Sequence, residues 1–133
     1  MEQAANQAGL IDTDIFVDSS RGLPEANRFL DEWHSAGGPI ISIVSVMELI
    51  AGCRSAAQLS DVQQVAEQSR VVPISTAISF RARSLMESFT LSHRLLLPDA
   101  LIAATALESG IALYTRNVRH YRMIPELLII RPY

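Results

Sequence analysis

Short apolar runs alternating with longer segments of helical period constrain this chain more than any other feature. Runs of β character stand at residues 10–12, 40–44, 71–74, 111–114 and 128–130. Between the first two, residues 24–36 repeat Ala26, Phe29, Leu30 and Trp33 at helical spacing, and Gly37-Gly38 stops the pattern. Residues 45–53 and 56–69 read as two further helices, and 75–91 places Ile78, Leu85 and Phe89 on one face. Residues 98–109 are apolar nearly all round, which predicts a helix buried on most sides and ended by Gly110. Strands separated by helices are joined by crossovers and run parallel, with helices covering both faces of the sheet. The expected fold is therefore α/β: a three-layer α/β/α sandwich around a central, mostly parallel sheet of four or five strands. Residues 1–9 read as an N-terminal tail and 10–133 as a single domain.

Composition removes several classes. With 49% apolar and 19% charged residues over 133 positions, the chain has material for a core and is not disordered. The lone cysteine, Cys53, excludes an internal disulfide framework and a Cys-rich zinc site. No apolar run approaches the ~20 residues of a membrane span. Residues 1–9 carry neither the basic nor the apolar segment of a secretory signal. A cytoplasmic protein without membrane contact is expected. All eleven basic side chains are Arg. Residues 1–66 carry nine acids against three Arg, and residues 67–133 five acids against eight Arg. An acidic half and an arginine-rich half suit a site that holds cations on one side and phosphates on the other; charges scattered over a solvated surface would give the same totals.

In an open parallel sheet, ligands bind beyond the carboxyl ends of the strands. Asp12 and Asp14 fall at the end of the first strand, and Glu48 just after the second. Asp99 opens the buried helix, and Thr115, Asn117 and His120 follow the fourth strand. Each has a structural role open to it. Asp12 or Asp14 could cap a short helix, Ser45 and Glu48 could form a capping box with Ser45 as N-cap, and Asp99 suits the positive end of a helix. Together they imply more, because converging carboxylates repel unless a cation sits among them. A hard divalent ion with oxygen ligands, Mg2+ or alternatively Mn2+, resolves the repulsion.

Four segments then carry a family resemblance. Residues 10–18, Leu-Ile-Asp-Thr-Asp-Ile-Phe-Val-Asp, resemble the opening strand of a PIN-domain nuclease, and residues 45–52, Ser-Val-Met-Glu-Leu-Ile-Ala-Gly, its S-x-x-E-L-x-x-G helix. Residues 97–107, Leu-Pro-Asp-Ala-Leu-Ile-Ala-Ala-Thr-Ala-Leu, resemble its L-P-D-A-L-I-A-A-T-A helix. Residues 114–121, Tyr-Thr-Arg-Asn-Val-Arg-His-Tyr, resemble the closing T-x-N-x-x-[DH]-F segment. The motifs occur in the family's order, and the L-P-D-A-L-I-A-A form is most similar to VapC-type toxins of bacterial toxin–antitoxin pairs.

The resemblance implies a metal-dependent endoribonuclease that hydrolyses RNA phosphodiester bonds with water as nucleophile and is restrained by a cognate VapB-type antitoxin. It implies Asp12, Glu48 and Asp99 as metal ligands, Asn117 as a fourth catalytic position, and Asp14, Ser45, Thr115 and His120 as supporting residues. Arg116, Arg119 and Arg122 are candidates to hold the RNA backbone. A homodimer is implied, with Met47, Leu49 and Ile50 as a candidate face, and promoter DNA would be reached only through the antitoxin. Asn117 and His120 stand where many relatives carry carboxylates, so the alternative is a catalytically impaired PIN-fold binding module. A haloacid-dehalogenase-type phosphatase is disfavoured despite Asp12-Thr13-Asp14, since the chain lacks lysine. A P-loop NTPase and a G-x-S-x-G hydrolase lack their motifs.

Overall fold

The apolar runs become strands of only two or three residues, and the chain turns into a helix almost at once after most of them. The computed structural model describes residues 7–133; residues 1–6 of the expected tail lie outside the described residues. The order is β1 (Gly9–Ile11), α1 (Thr13–Ser20), α2 (Pro24–Asp31), β2 (Ile40–Ser42), α3 (Ile43–Ala51), α4 (Ala56–Glu67) and β3 (Arg70–Val72). It continues with α5 (Thr76–His93), α6 (Leu97–Ser109), β4 (Ala112–Tyr114) and β5 (Ile129–Ile130). Turns of 3-10 helix occupy His34–Ala36 and Val118–His120.

The five strands form one sheet in the order β3-β2-β1-β4-β5. All four pairings are parallel. Side chains alternate across it. Leu10, Ile40 and Leu113 face one way and pack with Ile78, Leu85, Ala100, Ala103 and Ile124 of the α5–α6 side. Ile11, Ile41 and Tyr114 face the other way, against Ile15, Phe16, Phe29, Leu30 and Trp33 of α1, α2 and the turn after it. This is the three-layer sandwich expected, with all five strands parallel. Trp33 is a core residue, its ring edge-on to Tyr114 with centroids 5.7 Å apart.

Several boundaries differ from the sequence reading. Gly9, assigned to the tail, begins β1. The helix expected over 24–36 ends at Asp31 and gives way to the 3-10 turn. The difference that bears most on the site is at β2, which stops at Ser42 rather than at residue 44. The Ser42 hydroxyl accepts from the Val44 amide at 3.0 Å, making Ser42 the N-cap of α3. Ile43 and Val44 look like strand residues, yet they form the first helical turn because Ser42 satisfies that amide. Ser45 is thus not an N-cap, and the expected Ser45–Glu48 capping box does not form.

One tight passage leads into the sheet at Gly37-Gly38, both with positive φ (94° and 95°). A Cβ on Gly37 would meet open space, whereas one on Gly38 would overlap the carbonyl oxygen of Gln68. Gly37→Ala should therefore cost only the left-handed backbone penalty, about 1 kcal/mol. Gly38→Ala should cost at least about 3 kcal/mol, since the Gln68 backbone must also move. Urea unfolding of the two variants checks the order; equal losses would contradict it.

Candidate active site

The strand order makes β1 and β4 neighbours although they lie at opposite ends of the sequence, so the chain's direction across the sheet reverses between them. A crevice opens at such a point, beyond the carboxyl ends of the strands. Asp12 follows β1 and Thr115 follows β4. The Thr115 hydroxyl donates to Asp12 Oδ2 at 2.8 Å, and the Asp12 amide donates to the Tyr114 carbonyl at 2.9 Å. Asp12 is the N-cap of α1 as well: its Oδ1 accepts from the Thr13 amide at 2.8 Å. Capping and site geometry therefore coexist in one side chain.

The other predicted residues gather around this pair. Asp14, in the first turn of α1, accepts from the Arg116 amide at 2.9 Å through Oδ2. Its Oδ1 is buried without a hydrogen-bond partner among the described residues. The Asn117 amide donates to the Thr115 hydroxyl at 2.9 Å, although the Asn117 side chain itself is exposed. Asp99, on the first turn of α6, has both oxygens engaged. The Tyr121 hydroxyl donates to Oδ1 at 3.2 Å, and His120 Nδ1 lies 3.3 Å from Oδ2. Glu48, half-buried on α3, accepts from the Thr13 hydroxyl at 2.7 Å. Ser45 Oγ, fully buried, lies 2.7 Å from the same hydroxyl. With one proton to give, Thr13 donates to the carboxylate and takes Ser45 as its donor. Among the described residues, no three Asp, Glu, His or Cys side chains are gathered closely enough to enclose an ion. Glu48 is turned to Thr13, and Asp99 to Tyr121 and His120.

Electrostatics reflect this crowding. Burial, then the charges of Asp14 and Asp99, push the Asp12 carboxyl up from 3.8 to about 7, against hydrogen bonds from Thr115 and Thr13. Burial also raises Asp14, with the Arg116 amide opposing and Asp18 adding to the shift. Asp99 is raised by burial against the lowering influence of His120 and Tyr121. The carboxylates are surrounded mainly by neutral donors.

The arginines divide. Arg119 and Arg122, which flank His120 and Tyr121 in the chain, are exposed. Arg116 is held away from it: Nη1 donates to Asp18 Oδ2 at 3.1 Å, and the guanidinium lies over the Tyr133 ring at 4.9 Å. The Tyr133 hydroxyl donates to the same Asp18 oxygen at 2.8 Å. This clamp fixes the loop that carries Thr115 and Asn117. Sequence reading missed Thr13, Asp18, Tyr121 and Tyr133 as site partners. Thr13 and Asp18 lie inside the opening segment and Tyr121 inside the closing one, so the residues were in view and only their contacts were not.

The PIN domain sequence model matches residues 9–124. The chain belongs to the PIN-domain family. It is 37% identical over 119 residues to Ribonuclease VapC10 of Mycobacterium tuberculosis, covering 89% of each chain. It is 36% identical over 120 residues to Ribonuclease VapC19 of the same organism, covering 89% of this chain and 95% of the relative. Among solved structures, a chain of a toxin–antitoxin complex from Klebsiella pneumoniae superposes with a TM-score of 0.78 at 30% identity. That match covers 95% of this chain and 98% of the other. Within this PIN domain, the acidic centre is built from β1, α1, α3 and α6.

The raised Asp12 pKa has a signed consequence. The folded state holds this proton more tightly than the unfolded state does, so the contribution to stability is fully present below about 3.8. It is lost as pH rises through about 7. In EDTA, Asp12→Asn should therefore gain thermal stability over the parent across that window and level off above it. Melting curves at stepped pH check this, and a pH-independent difference would contradict it.

Proposed function

We propose that this PIN-domain protein is a metal-dependent endoribonuclease acting as a toxin, restrained by a VapB-type antitoxin. The observation that carries the reading is the set of acids beyond the ends of β1 and β4: Asp12 bonded to Thr115, Asp14 to the Arg116 amide, Asp14 and Asp99 near enough to raise the Asp12 carboxyl, and Glu48 tied in through Thr13. Two relatives more than a third identical over most of the chain are named ribonucleases, and a fold neighbour at 30% identity comes from a toxin–antitoxin complex.

The donor set fits Mg2+ or Mn2+. It offers oxygens only, and one of them, Asp14 Oδ1, is buried without a partner. Asp12, Asp99 and Glu48 would hold the ion by drawing in around it from the separate positions they take here, with Asp14 supplementing their charge. When bound, such an ion polarises the scissile phosphate and makes a water acidic enough to attack it. The chain's own residues supply the placement. Thr115 orients Asp12, Thr13 and Ser45 orient Glu48, and Tyr121 and His120 orient Asp99. Hydrolysis joins the water oxygen to phosphorus and breaks one ester P–O bond, the leaving oxygen taking a proton. Arg119 and Arg122, exposed and flanking His120 and Tyr121 in the chain, would hold flanking phosphates of the RNA. Arg116 positions the loop through Asp18 rather than gripping substrate.

The chain would form a homodimer through α3. Met47 and Ile50 are exposed there, at 50% and 44%, whereas Leu49 packs inward and drops out of the candidate face. Promoter DNA would be reached through the antitoxin. Among the described residues, no helix is long and apolar enough to cross a membrane.

The second reading is a PIN-fold binding module, favoured by the exposed, neutral Asn117 and the His120 beside Asp99. Purified protein should cleave an RNA pool with Mg2+ or Mn2+ and lose that activity in EDTA. Asp99→Asn should lower cleavage by more than about 100-fold, beyond the cost of losing an outer-shell partner, and relieve growth arrest on expression. Its fold should persist by circular dichroism. Absence of cleavage and of growth arrest with the parent protein would favour the binding module. A melting-temperature loss matching a core mutant would reduce Asp99 to a helix-end residue.

A further inference from the structure

We propose that Tyr121 is a positioning residue of the acidic centre, its hydroxyl fixing the Asp99 carboxylate for the metal ion. This rests on the metal-dependent reading above. Tyr121 is fully buried in the α5–α6 core with Leu113, Ala100, Ala103 and Ile124. A Phe ring would fill the same space, so packing alone gives no reason for a hydroxyl, which must be stripped of water to sit there. What offsets that cost is a carboxylate partner. The phenol donates to Asp99 Oδ1 at 3.2 Å, and the charges of Asp12 and Asp99 both bear on it.

The backbone holds this hydroxyl still. The Tyr121 amide donates to the Val118 carbonyl at 3.1 Å, and the Tyr121 carbonyl accepts from the Ile124 amide at 3.0 Å. The neighbouring His120 approaches the other Asp99 oxygen but is itself exposed, so Tyr121 is the rigid member of the pair. A carboxylate oxygen has lone-pair capacity beyond one hydrogen bond, so Asp99 Oδ1 can accept from the phenol and still ligate a cation. Outer-shell donors of this kind orient ligands, and losing one typically costs 10–100-fold in metal affinity.

The test is Tyr121→Phe, titrated with Mn2+ alone by calorimetry and normalised to the folded fraction from circular dichroism. We expect Mn2+ affinity to fall about 10–100-fold. Cleavage of an RNA pool should fall at limiting Mn2+ and return to within about threefold of the parent at saturation. Ile124→Val, which trims the same core without touching a carboxylate, should lower the melting temperature and leave the half-saturating Mn2+ concentration unchanged. Unaltered Mn2+ affinity in Tyr121→Phe, a deficit that saturating metal does not repair, or an equal affinity loss in Ile124→Val would overturn the proposal. A parent protein that binds neither Mn2+ nor Mg2+ would instead overturn the metal-dependent reading, and this inference with it.

Discussion

Asp12 and Thr115 lie 103 residues apart in the chain and 2.8 Å apart in space, and the parallel pairing of β1 with β4 makes them meet. That pairing sets Leu10 opposite Leu113 and Ile11 opposite Tyr114, so the residue after each strand is delivered to one point. Without it, Asp12 would be a helix cap and Thr115 the start of a turn. With it, the reversal in strand order becomes a crevice, and α3 and α6 can bring Glu48 and Asp99 to its rim.

The crevice is expensive to build. Several carboxylates are drawn partly or wholly out of water near one another, and burial and mutual repulsion drive Asp12 toward its neutral form. The fold answers mainly with neutral donors rather than cations: hydroxyls of Thr13, Thr115 and Tyr121, and the amides of Thr13 and Arg116. The nearby guanidinium, Arg116, is drawn to Asp18 and Tyr133. A free arginine among the acids would neutralise the charge that attracts a metal ion. Diverting it preserves the negative potential and uses its backbone to hold the loop.

Much of this was legible in the chain itself. Short apolar runs and helical periods placed all five strands and the major helices within a few residues, because strands buried on both faces and helices buried on one demand apolar side chains in those patterns. The junction acids Asp12, Glu48 and Asp99 were legible too, since parallel sheets put strand ends and functional loops together. The start of α3 was less legible. Ile43 and Val44 are β-branched and apolar, and only the capping geometry of Ser42 identifies them as helix. Met47, Leu49 and Ile50 look equivalent in sequence, yet Leu49 faces the core while the other two face solvent.

Local residue preference and hydrophobic period therefore determined the elements, their order and the acids at their ends, because those signals act over a few neighbouring positions. Tertiary structure alone decided which hydroxyl meets which carboxylate. It assigned Thr13 to Glu48, Tyr121 to Asp99, and Arg116 to Asp18 rather than to the acidic centre. A hydrogen bond depends on distances of a few tenths of an ångström between groups far apart in the chain, and those distances exist only once the sheet and its covering helices have packed.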